Sequence, residues 1–144
     1  MKDNSVLETV AILEHVQGSL CSNSRVQLSR TNLEAVQRLL GQGINKLANK
    51  DKLFAQVNFY MLGAHDLIAT ILEDDSFDRT DVETKEMLSK HVEDALNQLY
   101  PAAGKYYDTA NEFDYYIGCD EILQRIIQIC IKSGYYFGQV QKGD

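Results

Sequence analysis

Apolar residues recur three and four positions apart along almost the whole chain, and strict apolar–polar alternation is absent. That pattern predicts helices and no sheet. The first helix spans 5–20, with Val6, Val10, Leu13, Val16 and Leu20 on one stripe. Asn4 or Ser5 can cap it, and Ser5 stands three before Glu8, the spacing of a capping box. The short-sided polar run 21–30 reads as a loop. Thr31 and Glu34 form a second box, opening a helix that carries Leu33, Val36, Leu39, Leu40, Ile44 and Leu47 to about residue 50. Gly41 and Gly43 lie inside it. Each costs about 1 kcal/mol relative to Ala, and each either ends the helix, bends it or admits a close neighbour.

A third helix over 51–73 has Phe54, Val57, Tyr60 or Met61, Ala64, Leu67 or Ile68, and Ile71 along one face. An acidic turn follows at 74–80. Thr80 or Asp81 caps a fourth helix whose apolar positions are Met87, Leu88, His91, Val92, Ala95, Leu96 and Leu99. Pro101 is the only proline. Proline is disfavoured inside a helix and favoured in its first turn, so the fourth helix should stop near Leu99 and a fifth begin near Pro101. The last helix, about 120–133, carries Ile122, Leu123, Ile126, Ile127, Ile129, Cys130 and Ile131, apolar nearly all round, as a central buried helix would be. Residues from about 139 should fray. The expected fold is all-α: one domain over 1–144, a compact bundle of five or six helices around a central apolar C-terminal helix.

Composition narrows the class. With 144 residues, 44% hydrophobic and 24% charged, the chain is long enough for a core and unlike a disordered, collagenous or disulfide-framework sequence. No apolar run approaches the roughly 18 residues of a membrane span, and no leader pattern opens the chain; the expectation is a cytoplasmic protein. Cys21, Cys119 and Cys130 cannot all pair with one another, and none lies in a Cys-x-x-Cys, so reduced, mostly buried thiols are expected. The net charge of −7 is uneven. Residues 73–121 hold fourteen acidic against four basic side chains, whereas 1–72 hold six against seven. An acidic field of this kind repels nucleic-acid phosphates and attracts basic surfaces. The basic stretch 25–52 lacks interleaved aromatics until Phe54, and Gly41 and Gly43 put 33–49 out of register for a helix-turn-helix, so nucleic acid is not the expected partner.

Candidate chemistry centres on histidine. The segment Gly63-Ala64-His65-Asp66-Leu67-Ile68-Ala69-Thr70 resembles the H-box of dimerising histidine phosphotransfer domains. The resemblance implies an imidazole nucleophile with Asp66 orienting it or taking its proton. Thr70 falls five residues after His65, where that family places its polar residue at four. His65 and His91, twenty-six apart on successive helices, are similar to the two haem-facing histidines of a globin. No Phe stands where that family packs one on its haem, and no cofactor is expected. Asp74, Ser76, Asp78 and Thr80 have the spacing of a calcium loop's opening, but Arg79 and Lys85 occupy the positions of its Gly and Glu. Glu-x-x-His, phosphate-loop, dinucleotide and nucleophile-elbow motifs are absent.

Eight Tyr with no Trp is a biased choice. Tyr106, Tyr107, Tyr115 and Tyr116 stand among Asp108, Glu112 and Asp114, and tyrosine buries much area while keeping a polar handle. Together with Asp74, Asp75 and Asp78 these residues form the candidate partner-binding surface. The expected function is a non-enzymatic protein-interaction module, of adaptor, chaperone or inhibitor/immunity type, that binds a basic protein partner. Self-association into a homodimer is compatible with the same surface. The alternative is a phosphotransfer or small-ligand sensor domain built around His65 or His91.

Overall fold

A computed structural model describes residues 5–21, 28–50, 52–109 and Gln128, with the side chains of 107–109 left aside. Helix α1 covers Ser5–Cys21, α2 Arg30–Leu47, α3 Ala55–Leu72 and α4 Val82–Thr109, and a single 3₁₀ turn at Lys52–Phe54 leads into α3. No strand occurs among the described residues; the nearest thing is an isolated antiparallel bridge between Ser29 and Arg79. No described helix is long and apolar enough to cross a membrane.

Each helix buries the stripe its spacing marks out. On α1 these are Val6, Val10, Leu13, Val16 and Leu20; on α2, Leu33, Val36, Leu40 and Leu47; on α3, Val57, Met61, Ala64 and Ile68. Leu88, Val92, Ala95, Leu96 and Leu99 complete the core from α4, and Phe54 closes one end. Helix α1 packs against α2 and α4, and α3 packs against the same two, so the four form a closed ring of antiparallel neighbours. Gly43 makes one seam unusually close: a Cβ there would lie 3.1 Å from Met61 Sδ and 3.6 Å from Thr9 Cγ2. It stays inside α2, so close approach is the reading that holds.

The cap of α2 differs from the sequence expectation, and those of α4 and α1 are narrowed among the expected alternatives. The capping box of α2 is Ser29 and Asn32, not Thr31 and Glu34. The Asn32 amide donates to Ser29 Oγ at 3.2 Å, and the Ser29 amide donates to Asn32 Oδ1 at 3.4 Å. Long-range bonds set that choice, because the neighbouring backbone is clipped to the turn before α4. The Leu28 amide donates to Thr80 Oγ1 (3.0 Å), the Thr80 amide to the Leu28 carbonyl (2.9 Å) and the Arg30 amide to the Asp78 carbonyl (3.2 Å). Thr80 thus turns inward, and Asp81 alone caps α4, accepting from the Thr84 amide at 2.7 Å. At the start of α1, Ser5 is already helical and Glu8 reaches across to Lys46 Nζ at 2.9 Å.

The expected break at Pro101 does not occur; α4 runs through it. Pro101 and Asn97, whose carbonyl would have bonded the missing N–H, both lie on the exposed face, where water can take the bond. The inner face continues the apolar pattern with Leu99, Ala102, Ala103 and half-buried Tyr106. The fourth and fifth expected helices are therefore one, and four α-helices occur among the described residues. The expected central helix at 120–133 lies outside them except for Gln128, which is helical and exposed.

Candidate functional site

The acidic turn between α3 and α4 is built from α2. Arg30 Nη1 donates to the Leu72 carbonyl at 3.2 Å, Nη2 to Asp74 at 2.5 Å and Nε to Phe77 at 3.3 Å. Its guanidinium also lies 5.6 Å over the Phe77 ring. A planar fork can serve several carbonyls and a ring face at once, which an ammonium cannot. Within the turn, Asp74 Oδ1 accepts from the Ser76 hydroxyl at 2.7 Å and the Ser76 amide at 2.9 Å. The hydroxyl first and then the amide hold the Asp74 carboxyl below its ordinary range. Asp75 is exposed; Asp78 Oδ2 lies 3.9 Å from Arg79 Nε and stays almost wholly in solvent. Because Thr80 faces the core, the residues of calcium-loop spacing do not converge on one point. No cluster of three or more metal-ligating side chains occurs among the described residues.

The candidate surface does not come together as one patch where it can be followed. Asp74, Asp75 and Asp78 precede α4, whereas Tyr106 lies near its far end, roughly 36 Å along at 1.5 Å per residue. Tyr106 is half-buried, with its ring edge-on to Phe54 at 5.7 Å, so it helps close the core. The side chains of Tyr107 and Asp108, and Glu112, Asp114, Tyr115 and Tyr116 as a whole, fall outside the described residues. Cys21 is exposed rather than buried, with Sγ 3.1 Å from Ser89 Oγ; Cys119 and Cys130 are not described.

The two histidines occupy different seams. His65 turns toward α2, its Nε2 3.8 Å from where a Gly41 Cβ would be, and its Nδ1 is 3.7 Å from Asp66 Oδ1. His91 lies between α3 and α4. Its Nδ1 donates to the Met87 carbonyl at 2.9 Å, and the ring rests on Gly63, where a Cβ would meet Cδ2 at 3.0 Å. They do not face each other across a cofactor-sized space.

Around His91 the structure presents a groove that the sequence reading missed. Phe59, Leu62, Gly63 and Asp66 follow each other at i, i+3, i+4 and i+7 on α3; Glu83, Met87, Lys90 and His91 do so at i, i+4, i+7 and i+8 on α4. A depression of about 240 Å³ lies between Phe59, Leu62, Gly63 and Asp66 of α3 and His91 of α4, and a shallower one of about 440 Å³ lies on the far side of His91, along Glu83, Met87 and Lys90 of α4. Phe59 is 68% exposed, Met87 51% and Leu62 48%. Their combined open area is on the order of 300 Å², the scale of the largest apolar patch on a typical monomer. Met87 was expected in the core; one helical step from Leu88 carries it out to this face. Asp66, Glu83 and Glu86 line the rim, all exposed. Lys90, on the same face, is bonded to Asp94 at 2.9 Å. That bond, followed by the Asp94 charge, holds its ammonium above the usual lysine range. Phe59 and Leu62 fall off the buried stripe of α3, which was the available signal.

Compared with known proteins, the chain matches no family model, no curated protein and no solved structure.

Proposed function

We propose that this chain is a non-enzymatic protein-interaction module that binds a basic protein partner. The observation that supports the reading is the open α3–α4 face, where large apolar side chains stand in solvent beside the exposed carboxylates of Asp66, Glu83 and Glu86. A helix normally turns its Phe, Leu and Met inward, and a cluster left outside marks a surface that another molecule covers. The adjoining turn adds Asp75 and Asp78, so the end of the bundle from which α4 departs carries a concentrated negative field. Such a field speeds encounter with a basic surface and disfavours phosphate-bearing partners. Adaptor, chaperone and inhibitor/immunity roles all use this chemistry. Tyr107, Asp108, Glu112, Asp114, Tyr115 and Tyr116 remain proposed contributors to the same partner's recognition.

The test is a partner captured from extracts of the source cell and then purified. Its association rate should fall as salt rises, since exposed charges are screened beyond about 10 Å at 0.1 M. Converting Asp75, Asp78, Asp108 and Asp114 to Asn should slow association and leave the melting temperature unchanged. Binding that is indifferent to salt and to these substitutions, and is lost instead when Arg38 and Lys46 are replaced, would sink the reading in favour of an acidic ligand.

A further inference from the structure

The geometry points to a two- to three-turn amphipathic helix with a basic flank as the element that occupies the α3–α4 groove, its apolar side chains seated on Phe59, Leu62 and Met87. This inference rests on the interaction reading above and deepens it by naming the docking surface and the shape of what docks. Four observations carry it. The walls are two antiparallel helices, and the furrow between two such helices accepts a third laid along it, ridge into groove. Its length fits: His91 meets Gly63 across the seam, so Met87, one turn before His91, stands about level with residue 67, and the run from there to Phe59 is roughly 12 Å, the rise of about eight helical residues. A ligand helix would therefore present anchors at i, i+3 or i+4, and i+7, the usual mode of helix-in-groove recognition.

The floor is shaped for it. Gly63 has no side chain, so the Cδ2 edge of the His91 ring comes in close against α3, and the bond from Nδ1 to the Met87 carbonyl fixes that pose. The rim sets the charge of the occupant. Asp66, Glu83 and Glu86 face solvent on both sides, and the positive charge of Lys90 is engaged by Asp94. Lysine or arginine on the flanks of the ligand would meet carboxylates on both walls. A second copy of this chain is disfavoured by the same rim, because two-fold pairing would bring two predominantly acidic patches together. An anionic membrane or a nucleic acid would be repelled.

The test uses the full chain and a 14-residue peptide with Leu at helical three- and four-residue spacing and Lys elsewhere. Controls are the same composition scrambled and the Glu-for-Lys version. Titration followed by methyl NMR should shift the Met87 and Leu62 methyl signals, with the scrambled and acidic peptides inert. Phe59→Ser and Met87→Ser should each weaken the Lys peptide at least tenfold. Both side chains are exposed, so the melting temperature should hold. Gly63→Ala, which displaces the His91 ring, should weaken it without touching a charge. Equal affinity in the Phe59→Ser, Met87→Ser double variant, or shifts confined to 73–81, would overturn the groove and leave the interaction reading standing. A parent chain that binds no Lys peptide would also overturn the groove, and the captured partner's salt dependence decides the broader reading separately. Concentration-dependent sedimentation abolished by Met87→Ser would assign the face to a second copy instead.

Discussion

Replacing Thr80 by Val isolates the clip that joins the two ends of α2 and α4. The substitution is nearly isosteric, and the side chain is 2% exposed. What it removes is one acceptor: Thr80 Oγ1, 3.0 Å from the Leu28 amide. Leu28 is itself buried, so its N–H has no ready route to water. A buried donor left unsatisfied costs about 1–3 kcal/mol, and the added methyl of Val recovers part of about 0.8 kcal/mol. The net expectation is a loss of about 1–2 kcal/mol, or roughly 2–8 °C in melting temperature for a chain of this size. Urea unfolding should show a lower midpoint at unchanged slope, since the surface exposed on unfolding is the same. Hydrogen exchange supplies the specific readout. The Leu28 amide should lose protection in Thr80→Val and keep it in Thr80→Ser, although the Ser variant also loses stability through its missing methyl. Full protection of the Leu28 amide in Thr80→Val, with an unshifted midpoint, would refute the clip.

Leu40→Ala removes a side chain that is fully buried in α2; urea unfolding should show a loss of about 3–5 kcal/mol, the range for a leucine in a close-packed core. Pro101→Ala restores the missing amide in the exposed face of α4 and should raise the thermal midpoint, by on the order of 1–3 kcal/mol in stability. The carboxyls of Asp81 and Asp74 sit below their ordinary value of 3.8 because Thr84 and Ser76 bond the charged forms. Their stabilisation is therefore complete above about pH 4 and is lost as pH falls through the lowered folded values. An Asp81→Asn, Asp74→Asn double variant should show a shallower acid limb in a pH series of urea midpoints, and an unchanged limb would count against both bonds.

Periodicity alone placed α1, the stripe of α2 and the body of α3, because side-chain burial follows the 3.6-residue repeat whatever the chain packs against. It also placed an acidic turn at 74–80. What it could not resolve depends on contacts distant in sequence. Thr31 and Glu34 have a better box on paper than Ser29 and Asn32, but the bonds of 28–30 with 78–80 fix the chain direction two residues earlier. Pro101 read as a stop because local preference says so, yet an exposed face lets water replace the bond that proline forfeits. The candidate surface was inferred from charge density along the chain, and a long helix then carried Tyr106 far from Asp74, Asp75 and Asp78. The groove was legible in part. Phe59 and Leu62 stand off the α3 stripe, but recognising that they share a face with His91 and Met87 requires knowing that α3 and α4 lie side by side.

The clip has a consequence for how the chain folds. Residues 28–30 are at once the start of α2 and the site where the 78–80 turn docks, some fifty residues away. Closing a loop of that length costs roughly 3–4 kcal/mol of chain entropy, and until it closes the Ser29 box lacks the backbone partner that holds its direction. Formation of the first turn of α2 and arrival of the α3–α4 hairpin are thus coupled into one step. The α3–α4 pair, joined by a short turn, can assemble locally, while the entry to α2 waits for it. Substitutions at Thr80 should accordingly speed unfolding more than they slow folding, the signature of contacts made after the rate-limiting barrier.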